Sequence, residues 1–119
     1  MTQTNPIQVI HKFPLAIAMR QTLSVPEGGE IISLQNQYDL PTMWIKHIKG
    51  AKLKKQDFLL IATGESFTDQ LETGDELTFV GSCLLYSGSQ VYHIYMVQPT
   101  IHKLFKKLLL ETMEKGDLE

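Results

Sequence analysis

The feature that constrains this chain most is a change of hydrophobic period near its end. From Ile7 to Val97 apolar residues recur mostly in twos, with turn residues at short intervals. From Thr100 to Lys115 they recur at helical spacing. A period of two sends alternate side chains to opposite faces of a strand, whereas a period near 3.6 gathers them on one side of a helix. The chain therefore reads as a β domain over residues 1–98 followed by a helix within 99–119. Its 119 residues suit one domain around one core.

The strands can be placed in order. Ile7, Val9, His11 and Phe13 alternate with Gln8 and Lys12 and stop at Pro14. Arg20 to Val25 alternates cleanly, and Pro26-Glu27-Gly28-Gly29 then makes a turn, because proline presets φ and glycine accepts a positive one. A third strand runs from Glu30 to about Tyr38, with Ile32, Leu34 and Tyr38 on one face, and Asp39-Leu40-Pro41 turns the chain. Met43 to Ile48 carries apolar bulk on both faces, which predicts a position between two layers. The run Phe58-Leu59-Leu60-Ile61-Ala62 predicts the same double cover. Leu77 to Tyr86 and Val91 to Val97 flank Ser87-Gly88-Ser89-Gln90 as a hairpin. The fold class is mainly β: about seven short antiparallel strands predict a sandwich or small barrel, completed by one C-terminal amphipathic α-helix.

In that helix Ile101, Leu104, Phe105, Leu108 and Leu109 form one stripe, with Lys103, Lys106 and Lys107 opposite. Leu110 falls among the lysines. Thr100 is the expected N-cap, and Lys115-Gly116 is the expected end. The stripe packs either on its own domain or against a second copy. In a homo-oligomer, Ile101, Leu104, Phe105, Leu108 and Leu110 are the expected interface.

Composition narrows the function. Charged residues make up 20% and the net charge is -2, which excludes a polycationic nucleic-acid arm and opposes extended nucleic-acid binding. Apolar runs fall short of a membrane span, and no secretory leader opens the sequence, so a cytoplasmic protein is expected. One cysteine excludes an internal disulfide framework and a multi-cysteine zinc site. Cys83 lies in a strand beside Leu84 and Leu85 and reads as a small buried hydrophobe.

No catalytic signature stands out. His11, His47, His93 and His102 lack zinc-protease spacing. His11 and His47 sit on inferred inward faces, and His93 shares a face with Tyr95 and Val97. Glu65, Asp69, Glu72, Asp75 and Glu76 crowd a loop without the alternate ligand positions of a calcium site, and so read as a solvated acidic loop. Ser66 lacks the second glycine of a nucleophile elbow, and Gly28-Gly29 leads into a strand rather than a phosphate-binding helix. No catalytic residue, metal ligand or cofactor is assigned, and no enzyme is expected.

Lysines are less bland. Lys46, Lys49, Lys52, Lys54 and Lys55 gather in one strand end and loop. With Trp44, Tyr92 and Tyr95 they supply the groups a nucleotide needs, a cation for phosphate and an aromatic face for base. The alternative is that the lysines only keep a loop solvated.

Several segments in order carry a resemblance. They are Ile10-His11-Lys12-Phe13-Pro14-Leu15, Thr22 to Gly28, Leu40-Pro41-Thr42-Met43-Trp44, Thr63-Gly64-Glu65-Ser66-Phe67, and Phe79-Val80-Gly81-Ser82 through Tyr92-His93-Ile94-Tyr95. Over roughly residues 9–97 the chain resembles a family of small β-rich proteins common in bacteriophage genomes. The resemblance implies a compact β domain and a phage or prophage origin, and it carries over no activity or site residue. The lysine-rich loop and the C-terminal helix depart from the family pattern.

The expected function is a non-catalytic phage-type binding protein that sequesters a small anionic nucleotide signal of host defence. The alternatives are a protein-interaction module that blocks a host protein or acts in virion assembly and, last, a small hydrolase using histidine or Cys83.

Overall fold

The computed structural model describes residues 5–99 and 101–114. Its strands are β1 (Gln8–Pro14), β2 (Arg20–Pro26), β3 (Glu30–Gln37), β4 (Leu40–Ile48), β5 (Leu53–Ala62), β6 (Asp75–Leu85) and β7 (Gln90–Pro99), followed by the helix α1 (Ile101–Glu114). All strand pairs are antiparallel. They form a three-stranded sheet in the order β1-β4-β3 and a four-stranded sheet in the order β2-β5-β7-β6. Of the two architectures expected, this is the sandwich. The barrel is not formed, because β3 lies beside β6 without joining its ladder. At that corner a Cβ on Gly81 would come within 3.1 Å of Leu34 Cδ2, so glycine lets the two sheets approach.

Between the sheets lie Met43 and Ile45 from β4 and Val25, Phe58, Leu60, Cys83, Leu85 and Ile94 from the other sheet. Each large side chain taken wholly out of water contributes about 1.5–3 kcal/mol before entropy is counted. Leu15 joins this core from the β1–β2 connection. A second cluster, Leu59, Ile61 and Val97, lies on the outer face of the four-stranded sheet, where Phe67, Leu71, Leu77 and Tyr95 cover it. The continuous apolar run in β5 is thus buried on both faces. Burial also pushes the Cys83 thiol above its ordinary value.

Three local expectations are corrected. β4 is central in its sheet, but its second face is covered only in part: Thr42 is buried there, Trp44 is half-buried and Ile48 is 52% exposed. Residues 31 and 33 oppose consecutive residues of β4, so a bulge at Ile32 shifts the alternation. Ile31 and Leu34 then both pack on the core, while Ile32 and Tyr38 face solvent. The turn falls at Tyr38–Asp39, both at positive φ (55° and 59°), and Leu40-Pro41 already belongs to β4. This is the hairpin geometry that suits the right-handed strand twist.

Asn36 makes that turn tolerable without glycine. Its Oδ1 accepts the Asp39 N–H at 2.9 Å, while its Nδ2 donates to the Leu84 carbonyl at 3.1 Å. Asp39 Oδ1 in turn accepts the Tyr86 N–H at 3.3 Å. The two hairpin tips are therefore tied together at one end of the sandwich.

Candidate functional site

Helix α1 leaves the end of β7 and, among the described residues, touches the sandwich chiefly at that strand. Its large apolar side chains stay in solvent: Leu104, Phe105, Leu108, Leu109, Leu110 and Met113 are each 46–65% exposed. A 14-residue helix is marginal on its own in water, so an exposed apolar helix of this length calls for a covering surface. Of the interface residues expected from sequence, Leu104, Phe105, Leu108 and Leu110 lie on this exposed helix. Ile101 belongs to its first turn. Thr100, Lys115 and Gly116 lie outside the described residues.

At the root of the helix is a cleft of about 460 Å³, lined by Arg20, Lys55, Asp57, Glu72, Asp75, Leu104 and Lys107 among others. Its floor is a fixed ion-pair network. Arg20 Nη2 lies 2.9 Å from Asp57 Oδ2 and Nη1 lies 3.1 Å from Asp75 Oδ2, while Nη1 also donates to the Gln70 carbonyl at 2.6 Å. Thr22 Oγ1 donates to Asp57 Oδ1 at 2.6 Å, and the Glu72 N–H donates to Asp75 Oδ2 at 2.8 Å. One guanidinium thus joins β2, β5, the 63–74 loop and the start of β6.

Burial alone would raise the Asp57 carboxyl, but hydrogen bonds from Thr22 and Arg20 outweigh it and hold the group below its ordinary value. Burial also opposes the Arg20 charge. Hydrogen bonds to Asp57 and Asp75 overcome that and raise the guanidinium. The loop is not wholly the solvated acidic loop expected: the Asp75 side chain is 2% exposed and holds structure.

The lysines and aromatics singled out from sequence do not converge. Lys46 sits on β4 with Nζ 3.3 Å from Glu30 Oε2. Lys49 and Lys52 are exposed around the β4–β5 connection. Lys54 and Lys55 are neighbours on β5 and point to opposite faces, Lys54 beside Val25 and Met96 and Lys55 into the large cleft. Trp44 faces outward on the three-stranded sheet. Tyr92 faces the core, and Tyr95 lies on the opposite face of β7 with its ring 5.2 Å from that of Phe79. No single base can stack on two of these three rings. Strand registry explains the dispersal, since sequence neighbours in a strand part to opposite faces.

Two histidine arrangements escaped sequence reasoning. His11 Nδ1 lies 2.9 Å from His47 Nε2, and His47 Nδ1 meets the Ile48 carbonyl at 2.9 Å. Alternation with Phe13 and Ile45 puts both rings on the inward side, yet His11 is exposed and His47 only half-buried. Among the described residues no group of three potential metal ligands forms. His93 is held by Ser82 Oγ at 2.7 Å on Nδ1 and by Thr63 Oγ1 at 2.8 Å on Nε2. In a serine–histidine pair built for nucleophilic attack a carboxylate backs the ring, and here a neutral hydroxyl takes that place. The His93–Ser82 pairing follows from registry, as the two are cross-strand partners. That registry shows only once the β6–β7 bulge is known.

Fold and surface together define a two-sheet antiparallel sandwich that carries an exposed apolar helix. The chain belongs to the family described as a domain of unknown function, DUF7352, whose model matches residues 6–103. No curated protein and no solved structure matches it. The match takes in the whole sandwich and stops before Leu104, so the exposed apolar residues of α1 lie past its end. Among the described residues no helix is long and apolar enough to cross a membrane.

Proposed function

We propose that the protein is a non-catalytic interaction module, a rigid sandwich that presents one apolar helix for another protein surface to cover. The observation that carries this is the exposure of Leu104, Phe105, Leu108, Leu109, Leu110 and Met113 on one short helix. A helix laid into a groove binds through side chains spaced i, i+3, i+4 and i+7, and Leu104, Leu108 and Phe105 hold such positions. The phage setting implied by the sequence resemblance gives such a module two uses, blocking a host protein or joining particles during assembly.

The double variant Leu104→Glu with Leu108→Glu tests the reading. Association measured by light scattering is expected to vanish while sandwich stability stays within about 0.5 kcal/mol of the parent, as for exposed positions. A large fall in thermal midpoint would instead mean that the stripe packs on its own domain.

A second reading, capture of a small anionic nucleotide signal, is favoured by Lys55 and Lys107 on the wall of the large cleft. The volume suits a small molecule, although Arg20 is already engaged by Asp57 and Asp75. Titration calorimetry against linear and cyclic nucleotides is expected to give saturable heat that Lys55→Ala weakens. Absence of heat from the whole panel ends this reading.

A further inference from the structure

We propose that His11 and His47 form a two-imidazole clamp for one copper(II) ion, on residues that neither α1 nor the large cleft uses. Two observations carry it: the separation of the facing ring nitrogens, and the hydrogen bond that holds the second ring from behind.

The two residues stand 36 positions apart and meet through strand registry. His11 lies opposite Ile45 and His47 opposite Val9, so they are diagonal neighbours on one face of β1 and β4, within reach of ring-bearing side chains. His47 Nδ1 lies 2.9 Å from the Ile48 carbonyl oxygen. That oxygen can only accept, so Nδ1 carries the ring proton and Nε2 keeps its lone pair. Metal-bound histidines are supported in this way, the far N–H given to a backbone carbonyl that fixes both tautomer and ring. The Nε2 lone pair faces His11 Nδ1 at 2.9 Å. In the metal-free protein a proton on His11 Nδ1 fills that gap as an N–H···N hydrogen bond.

A metal ion takes the place of that proton without changing the charge of either ring. His11 moves its one proton from Nδ1 to Nε2, and because the side chain is exposed, water accepts the new N–H. His11 also turns to aim its lone pair at the ion, while His47 stays tied to Ile48. With bonds of about 2.0–2.1 Å, two imidazole nitrogens stand about 2.9 Å apart at a right angle and about 3.3 Å apart at the tetrahedral angle. The observed 2.9 Å matches the right angle of a square-planar ion. Copper(II) takes that geometry, suits imidazole and binds most tightly of the divalent first-row ions. Water completes the coordination, since among the described residues no third histidine, cysteine or carboxylate joins the pair.

The test titrates the full chain with copper(II) chloride in a non-coordinating buffer, followed by calorimetry and electron paramagnetic resonance. One ion per chain is expected at the tight site, with two imidazole nitrogens in its spectrum. His11→Gln and His47→Gln are each expected to weaken binding about tenfold or more, while His93→Gln and His102→Gln leave it unchanged. Copper should also raise the thermal midpoint of the parent and not that of His11→Gln, because the ion binds only the folded pairing of two strands. His11 is exposed, so His11→Gln decides the matter even if His47→Gln unfolds the chain. Equal affinity in His11→Gln and the parent, or a spectrum with a single nitrogen, would overturn the clamp. So would a loss seen only in the double variant, since each ring would then hold copper by itself. Absence of saturable binding would make the contact a hydrogen bond alone and end the proposal.

Discussion

Replacing Arg20 with alanine is expected to destabilise the sandwich by about 3 kcal/mol, near the lower edge of what breaking a buried ion pair costs. The corresponding fall in thermal midpoint is about 10 °C. The loss lies at that edge because the Arg20 side chain keeps 23% of its exposure and Asp57 keeps 33%, so water already screens part of the interaction. What raises it above a surface pair is Asp75, whose side chain is 2% exposed. Removing the guanidinium takes the counter-charge from two carboxylates and a donor from the Gln70 carbonyl at once. Arg20→Lys should recover only part of the loss, since a single ammonium cannot span three acceptors as a planar fork does.

The same network gives the pH dependence. The folded Asp57 carboxyl lies below its ordinary value, so as pH falls the unfolded chain takes up that proton first. Its stabilising contribution is complete above the ordinary carboxylate range, about pH 4, and is lost as pH drops through the folded value. Denaturant midpoints measured down an acid series should fall less steeply for Asp57→Asn than for the parent. Equal slopes would show that Asp57 is not the group responsible.

Phe58→Ala is expected to cost more, about 3–5 kcal/mol, because Phe58 is a large and wholly buried side chain of the main core and the cavity can close only in part. Its neighbour Leu59 points the other way, into the cluster under Phe67 and Leu71. Leu59→Ala should therefore cost about 2–3 kcal/mol, the low end for a buried leucine, since a covering loop relaxes more easily than a second sheet. Urea unfolding of the two variants measures both losses. A negligible loss at Leu59 would mean that the loop does not cover the outer face, and β5 would then be buried on one side only.

Much of this architecture was legible in the residues. Alternation placed five of the seven strands to within two residues, while β4 begins three residues and β5 five residues earlier than expected; Pro26 to Gly29 marked a turn, and the unbroken apolar run in β5 announced cover on both faces. These are consequences of local geometry, in which side-chain direction follows from position along a strand. The misplaced face of β3 shows where that logic stops. A single bulged residue, Ile32, reverses the alternation beyond it, and nothing in its own sequence distinguishes it from its neighbours. The same holds for the tyrosine and aspartate at the β3–β4 turn, whose positive φ values are sustained by Asn36 and a contact with the other hairpin.

The candidate site divides in the same way. Helical periodicity by itself set out the apolar stripe of α1, because a stripe depends only on spacing within one segment. Whether that stripe would be covered was decided by where β7 ends and by what the sandwich leaves within reach, and it is left open to solvent. The lysines and aromatics are close in sequence or in kind, but registry sends them to different faces. Arg20, Asp57 and Asp75, far apart along the chain, are brought to one point by strand pairing. Periodicity is a property of neighbours and can be read from one strand or helix. Convergence is a property of long-range registry, and only the folded chain fixes it.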